Sequence, residues 1–186
     1  MPVGLILAAG AGRRFGSTKQ LAELRGRPLL AHALEAMLAA GLERVIVVLG
    51  HDAEAIRARV DFGAAEVVIA EDWADGQAAS LRRGLAAAGK ADAVVITLGD
   101  QPFITPQVIS GALAQLDEPF DAVRAVYDGT PGHPVVLGPS VLAAVGELDG
   151  DAGARELLAR FNVRKWEAGH LASATDIDTQ EELSKL

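Results

Sequence analysis

The residues best placed to do chemistry follow the first apolar run of the chain. There the sequence reads Leu7-Ala8-Ala9-Gly10-Ala11-Gly12-Arg13-Arg14-Phe15-Gly16-Ser17-Thr18-Lys19. Glycine has no Cβ, so backbone amides in such a loop can approach a phosphate closely. Arg13, Arg14 and Lys19 add cations to the same segment. Arginine grips phosphate bidentately, and lysine acts as a mobile point charge. The composition points to a triphosphate cradle at the carboxyl end of a strand. The alternative is a surface loop with solvated charges. Two common phosphate motifs are absent. A dinucleotide fingerprint needs a third glycine where Phe15 stands, and a P-loop needs Gly-Lys-Ser/Thr where Gly16-Ser17-Thr18-Lys19 stands.

Carboxylates provide the second kind of chemistry. Asp100 lies in Leu98-Gly99-Asp100-Gln101-Pro102, directly after another apolar run. A charge there sits at the carboxyl edge of the sheet, where open α/β sheets bind ligands. A hard carboxylate in that place suits Mg²⁺, and a turn aspartate before Pro102 is the competing role. Asp176-Ile177-Asp178-Thr179 is a second acidic site. In an extended backbone Asp176 and Asp178 share one face. Metal binding competes there with simple charge complementarity at a helix start.

Other segments offer polar contacts. Trp73-Ala74-Asp75-Gly76-Gln77-Ala78-Ala79-Ser80 opens a helix. Gly76 allows close approach, and Ser80 can donate to or accept from a base edge, or serve as a small buried residue. Trp73 reads more simply as a packing residue. Gly129-Thr130-Pro131-Gly132-His133-Pro134 reads as a turn-rich loop before a strand. His133 is a possible hydrogen-bond donor to an anionic acceptor, or a structural histidine. In Asp149-Gly150-Asp151-Ala152-Gly153-Ala154-Arg155, Asp151 suits a helix N-cap and Arg155 an anionic acceptor. His32, His51 and His170 form no metal-ligand spacing.

These residues need elements to position them. Val3–Ala9, Glu43–Leu49, Ala65–Ala70 and Ala93–Leu98 are apolar runs that read as strands buried on both faces of a parallel sheet. Pro28–Ala40, Ala53–Val60 and Gln77–Ala88 alternate with them as helices. Right-handed βαβ units are therefore expected over the first hundred residues. Beyond them, Thr105-Pro106 starts a helix to about Leu116. Ala122–Tyr127, Val135–Leu137 and Val163–Glu167 read as strands. Pro139–Gly146, Ala152–Phe161 and Thr179–Leu186 read as helices, with Thr179 and Glu182 forming a capping box.

Composition narrows the function further. The chain has 186 residues, 50% hydrophobic and 23% charged, which predicts one domain. It contains no cysteine, so disulfides, thiolate metal sites and thiol catalysis are excluded. A net charge of -8 argues against long polyanions such as nucleic acid, though a small phosphorylated ligand needs only a few local cations. The apolar start is too short for a membrane span and lacks the basic region of a signal peptide, which predicts a cytoplasmic protein.

The stretch from Leu7 to Lys19 resembles the L-A-A-G-x-x-x-R-x-G-x-x-K signature of molybdenum cofactor cytidylyltransferases and guanylyltransferases. Lys19-Gln20-Leu21 and Gly26-Arg27-Pro28-Leu29-Leu30 continue the pattern. The resemblance implies a Rossmann-like three-layer α/β/α nucleotidyltransferase domain with a mostly parallel sheet. Residues 1–100 would form its nucleotide-binding half and residues 101–186 its acceptor-binding half. It implies that Leu7, Ala8, Ala9, Gly10, Gly12, Gly76, Ser80 and Asp100 surround the nucleotide, with Arg14 and Lys19 on its phosphates. Arg14, Lys19 and Asp100 would be the catalytic residues. Mg²⁺, with Mn²⁺ as an alternative, would bind Asp100 and Asp176, with Asp178 in reserve. His133, Asp151 and Arg155 would face the acceptor. Ala9, where guanylyl-transferring relatives carry glycine, favours CTP as donor. Molybdopterin would be the acceptor, and an apo molybdenum hydroxylase a possible client. Relatives often carry a basic residue before the G-H-P element, and this chain has Thr130-Pro131. Acceptor identity is therefore open, with a guanylyltransferase or sugar-phosphate nucleotidyltransferase as rivals and a non-catalytic nucleotide-binding cofactor-handover protein as a further alternative.

Overall fold

The computed structural model of the chain describes residues 1–12, 14–145, 158–173 and 177–186. Its first strand, β1 (Pro2–Ala8), is buried everywhere except Pro2. A short hairpin follows, β2 (Glu23–Leu24) and β3 (Arg27–Pro28), and then helix α1 (Leu29–Leu38). The chain continues through β4 (Arg44–Leu49), α2 (Ala53–Arg59), β5 (Glu66–Ile69), α3 (Gln77–Ala88) and β6 (Ala93–Leu98). Then come α4 (Pro106–Ala114), β7 (Ala122–Tyr127), β8 (Thr130–Leu137), α5 (Pro139–Ala143), β9 (Val163–Glu167) and α6 (Gln180–Ser184).

Seven strands form one sheet in the order β5-β4-β1-β6-β8-β7-β9. β5, β4, β1 and β6 are mutually parallel. β8 runs against both of its neighbours, and β7 pairs in parallel with β9. Alternation along each strand divides the apolar side chains between two cores. On one face Ile6, Val47 and Val95 pack with Leu30 and Leu34 of α1 and Val108 and Ile109 of α4. On the other, Leu5, Leu7, Val48 and Ile96 pack with Leu81 and Leu85 of α3 and Val141 of α5. Helices thus cover both faces, giving the three-layer α/β/α architecture that the resemblance implies. The approach of α3 to the sheet is close. A Cβ at Gly84 would stand 2.5 Å from a methyl of Leu5. Among the described residues, no helix is long and apolar enough to cross a membrane.

Two expectations need correction. β5 is not buried on both faces: Glu66 and Ile69 are exposed, because the strand lies at the sheet edge. Thr130–Pro134 is not a loop but the first part of β8. The turn falls earlier, at Asp128-Gly129, where φ is +49° and +80°. Two successive positive φ values suit a two-residue hairpin, and Asp-Gly is a preferred sequence for it. Helix α5 is described as Pro139–Ala143, within the longer span expected. The start of the expected Ala152–Phe161 helix lies outside the described residues. The capping box at Thr179 and Glu182 is present.

Candidate active site

The chain leaves β1 toward β4 and β5, then returns to place β6 on the other side of β1. That reversal opens a crevice at the carboxyl ends of β1 and β6, the usual ligand position in an open α/β sheet. A cleft of about 480 Å³ lies there. It is lined by Leu7 to Gly12, Lys19, Gln20, Trp73, Ala74, Gly76, Gln77, Ser80 and Leu98 to Asp100. Nine of the ten nucleotide-binding candidates line it: Leu7, Ala8, Ala9, Gly10, Gly12, Lys19, Gly76, Ser80 and Asp100. Arg14 stands outside the lining, largely exposed. Arg13 lies outside the described residues.

The loop after β1 is held by specific contacts. Gly12 has φ +57°, and a Cβ there would stand 2.9 Å from the Cβ of Lys19. The Phe15 amide donates to the Gly12 carbonyl at 2.7 Å and closes a turn. Phe15 is buried with Leu24, Leu29 and Ile177, so it anchors the loop where a dinucleotide fingerprint would carry glycine. Gln20, buried, donates from Nε2 to the carbonyls of Ala8 (2.8 Å) and Gly10 (2.9 Å). Sequence reasoning gave Gln20 no role, because a single glutamine carries no spacing signal.

Lys19 is the centre of the charged network. Only 7% of it is exposed. Its Nζ donates to Asp100 Oδ2 at 2.6 Å and to Asp178 Oδ1 at 2.7 Å. Arg14 Nη2 pairs with Asp178 Oδ2 at 2.9 Å. Burial by itself lowers the pKa of a lysine. Here the hydrogen bonds that Lys19 donates to Asp100 and Asp178, with the negative charges of both, outweigh it and hold Lys19 above its ordinary value. The hydrogen bond from Lys19 likewise holds Asp178 below the usual carboxylate range, with Arg14 adding a smaller pull. The reserve residue Asp178 is thus the carboxylate brought to Lys19 and Arg14. Asp176 lies outside the described residues.

A divalent cation fits one feature of this site. Asp100 Oδ1 is buried and lacks a hydrogen-bond partner. A buried carboxylate oxygen without a partner is costly unless something positive completes it. Carboxylate oxygens are the hard donors that Mg²⁺ or Mn²⁺ prefers. Among the described residues, no group of three or more metal-ligating side chains gathers.

On the opposite wall, α3 starts at Gly76, whose φ is +110° and which makes no side-chain cap. Ser80 is 4% exposed, one turn into that helix. Trp73 packs against the core below β1 and meets His51 edge to face, with centroids 5.0 Å apart. It therefore serves packing as well as lining the cleft. His133 lies beside the Asp100 end. Its Nδ1 is 3.4 Å from Gln101 Nε2, and its carbonyl accepts from the Tyr127 hydroxyl at 2.6 Å. The residue is half-buried, yet its dense surroundings push its pKa down to about 4. Burial is the main cause and the charge of Arg124 the second, with Asp100 opposing both. Asp151 and Arg155 lie outside the described residues.

A glycine loop and a strand-end carboxylate meeting at the switch point of a mostly parallel sheet define an α/β nucleotide-binding protein of the nucleotidyltransferase class. The chain matches the MobA-like NTP transferase domain over residues 4–166, and it belongs to that family. It is 34% identical to nicotine blue oxidoreductase of Paenarthrobacter nicotinovorans over 98% of this chain and 95% of that protein. It is 33% identical to bifunctional protein GlmU of Heliobacterium modesticaldum, over 79% of this chain but only 34% of GlmU. Among solved structures it resembles Rv0371c of Mycobacterium tuberculosis H37Rv, with 31% identity, a TM-score of 0.87, and 99% and 95% of the two chains covered. A manganese complex of Rv0371c is similar at 29% identity and TM-score 0.82, with 100% and 97% covered.

Proposed function

We propose that the protein transfers CMP from CTP to the phosphate of molybdopterin and releases pyrophosphate. The observation that carries nucleotidyl transfer is the buried Lys19 ammonium, shared by Asp100 and Asp178 beside the glycine loop. The cytidine and pterin assignments rest on the family resemblance of Leu7-Ala8-Ala9-Gly10 and of the elements around His133, Asp151 and Arg155.

In this reaction an acceptor phosphate oxygen bonds to the α-phosphorus of the nucleotide. The bond from that phosphorus to the α–β bridging oxygen breaks, and the electron pair leaves with pyrophosphate. The acceptor is already anionic near neutral pH, so no protein base is required. Catalysis then consists of in-line positioning and charge neutralisation. The amides from Gly10 to Gly12 and the Lys19 ammonium face the triphosphate, and Arg14 reaches its outer edge. Ser80 and Gly76 border the base. His133, neutral at pH 7, is suited to a hydrogen bond with the acceptor rather than to an ion pair. Asp100, with Asp176 or Asp178, would hold Mg²⁺ or Mn²⁺, which supplies further charge neutralisation on the phosphates when bound. An apo molybdenum hydroxylase in the cytoplasm would receive the product.

The relative named nicotine blue oxidoreductase favours a second reading, hydride transfer from a nicotinamide cofactor in the same cleft. Phe15 in place of the third fingerprint glycine weighs against it. One experiment separates the readings. Purified protein with Mg²⁺ is given CTP, GTP, ATP or UTP together with molybdopterin or a sugar phosphate, and pyrophosphate is measured. NADH and NADPH are titrated in parallel. Release with CTP and molybdopterin is the expected result. Release only with GTP or with a sugar phosphate would reassign the substrates. No release, together with saturable NAD(P)H binding, would overturn nucleotidyl transfer.

A further inference from the structure

We propose that Lys19 is an internal counter-ion for the Asp100–Asp178 pair, so that it must leave the pair before a divalent cation can use both carboxylates. This inference rests on the nucleotidyl-transfer reading, since the triphosphate is the anion that would draw Lys19 away. The geometry is direct. One ammonium stands 2.6 Å from Asp100 Oδ2 and 2.7 Å from Asp178 Oδ1, with almost no access to water. Arg14 occupies the other oxygen of Asp178. The two cations balance the two carboxylates, so a dication entering this arrangement would meet an uncompensated lysine at close range. Asp100 Oδ1, buried and without a partner, is the one oxygen left for it.

Lysine suits this exchange because its charge rides on a flexible four-carbon stem. The Cβ of Lys19 lies against Gly12, inside the loop expected to hold the phosphates. The ammonium can therefore turn from the carboxylates to a phosphate without moving the backbone. Metal and nucleotide would then favour each other's binding, because linkage is reciprocal. Without nucleotide the carboxylates stay neutralised and bind metal weakly.

The test is Mn²⁺ binding to the nucleotide-free protein, followed by electron paramagnetic resonance near neutral pH. Lys19→Met should bind Mn²⁺ at least about tenfold more tightly than wild type, within the usual range of such couplings. Adding Asp100→Asn to that variant should remove the gain. If Lys19→Met does not fold, Lys19→Gln removes the charge while keeping a donor for the carboxylates, and the same gain is expected. Mn²⁺ affinity unchanged or weakened in the folded variant would overturn the inference. The two readings fail separately. Pyrophosphate release by wild type without a Lys19-dependent gain in Mn²⁺ affinity overturns the counter-ion alone. A gain in Mn²⁺ affinity without release from any nucleotide overturns nucleotidyl transfer and the role given to triphosphate.

Discussion

Asp100 concentrates the chemistry of the site in one side chain. One of its oxygens accepts from Lys19, and the other is buried without a partner. Removing this carboxylate leaves Lys19 still held by Asp178, so the fold should survive. Asp100→Ala is expected to lower pyrophosphate release by about 10²-fold or more, the scale of losing one electrostatic contact in a transition state. Steady-state kinetics and a thermal melt check both halves of this statement. The sequence marked Asp100 because it follows an apolar strand directly, although a turn aspartate before Pro102 accounted for it equally well. Asp178 was less legible. Two aspartates two residues apart look alike in sequence, and only folding brings Asp178 to Lys19 and Arg14.

Among the elements, α6 matters beyond its five residues. Glu182 accepts from the amides of Asp178 (2.7 Å) and Thr179 (3.0 Å), and Thr179 Oγ1 accepts from the Glu182 amide at 3.2 Å. This capping box fixes the backbone that carries Asp178. Glu182→Ala should therefore cost about 1 kcal/mol of stability, the usual scale of a lost cap. It should also slow transfer several-fold, although Glu182 itself does not touch the Lys19 ammonium. Denaturant melts beside turnover measurements would show this, and turnover unchanged in a destabilised protein would limit the helix to a structural role. The helix start was readable from Thr179 and Glu182. Its task was not, because nothing in the spacing says that residue 178 meets residue 19.

The fate of His133 belongs to the whole molecule, since its environment is assembled from β8, the end of β6 and β7. Its pKa falls from 6.5 to about 4 on folding. Between these values the unfolded chain binds a proton that the folded chain refuses, so stability rises with pH there. The stabilisation is fully present above about pH 6.5 and is lost as pH falls toward 4. Residual exposure of the residue moderates the effect to about 1–3 kcal/mol. His133→Gln should flatten the difference between stabilities measured at pH 7 and pH 4.5 by urea titration. An equally steep profile in the variant would assign the acid loss to carboxylates alone. The hairpin that carries His133 also shows where sequence reading failed. The prolines and glycine after Gly129 suggested a loop, and pairing with β7 overrode that local preference, confining the turn to Asp128-Gly129.

The sequence by itself determined the main strands and helices of the first half, though not the short β2–β3 hairpin, because apolar periodicity and glycine stops act locally. It also determined that the chemistry must rest on oxygen and nitrogen ligands, since there is no thiol. It placed Gly10, Gly12, Lys19 and Asp100 at strand ends, and these do border one cleft. Tertiary structure decided what sequence spacing cannot hold. The return of the chain to β6 sets two strand ends side by side. Burial of Phe15 turns a missing glycine into an anchor, and Gln20 ties the loop to the end of β1. The meeting of Lys19 with Asp178, 159 residues away, depends on the whole sheet and its last helix. Local preference acts over a few residues, whereas a charge cluster depends on the distances between elements, and only packing fixes those.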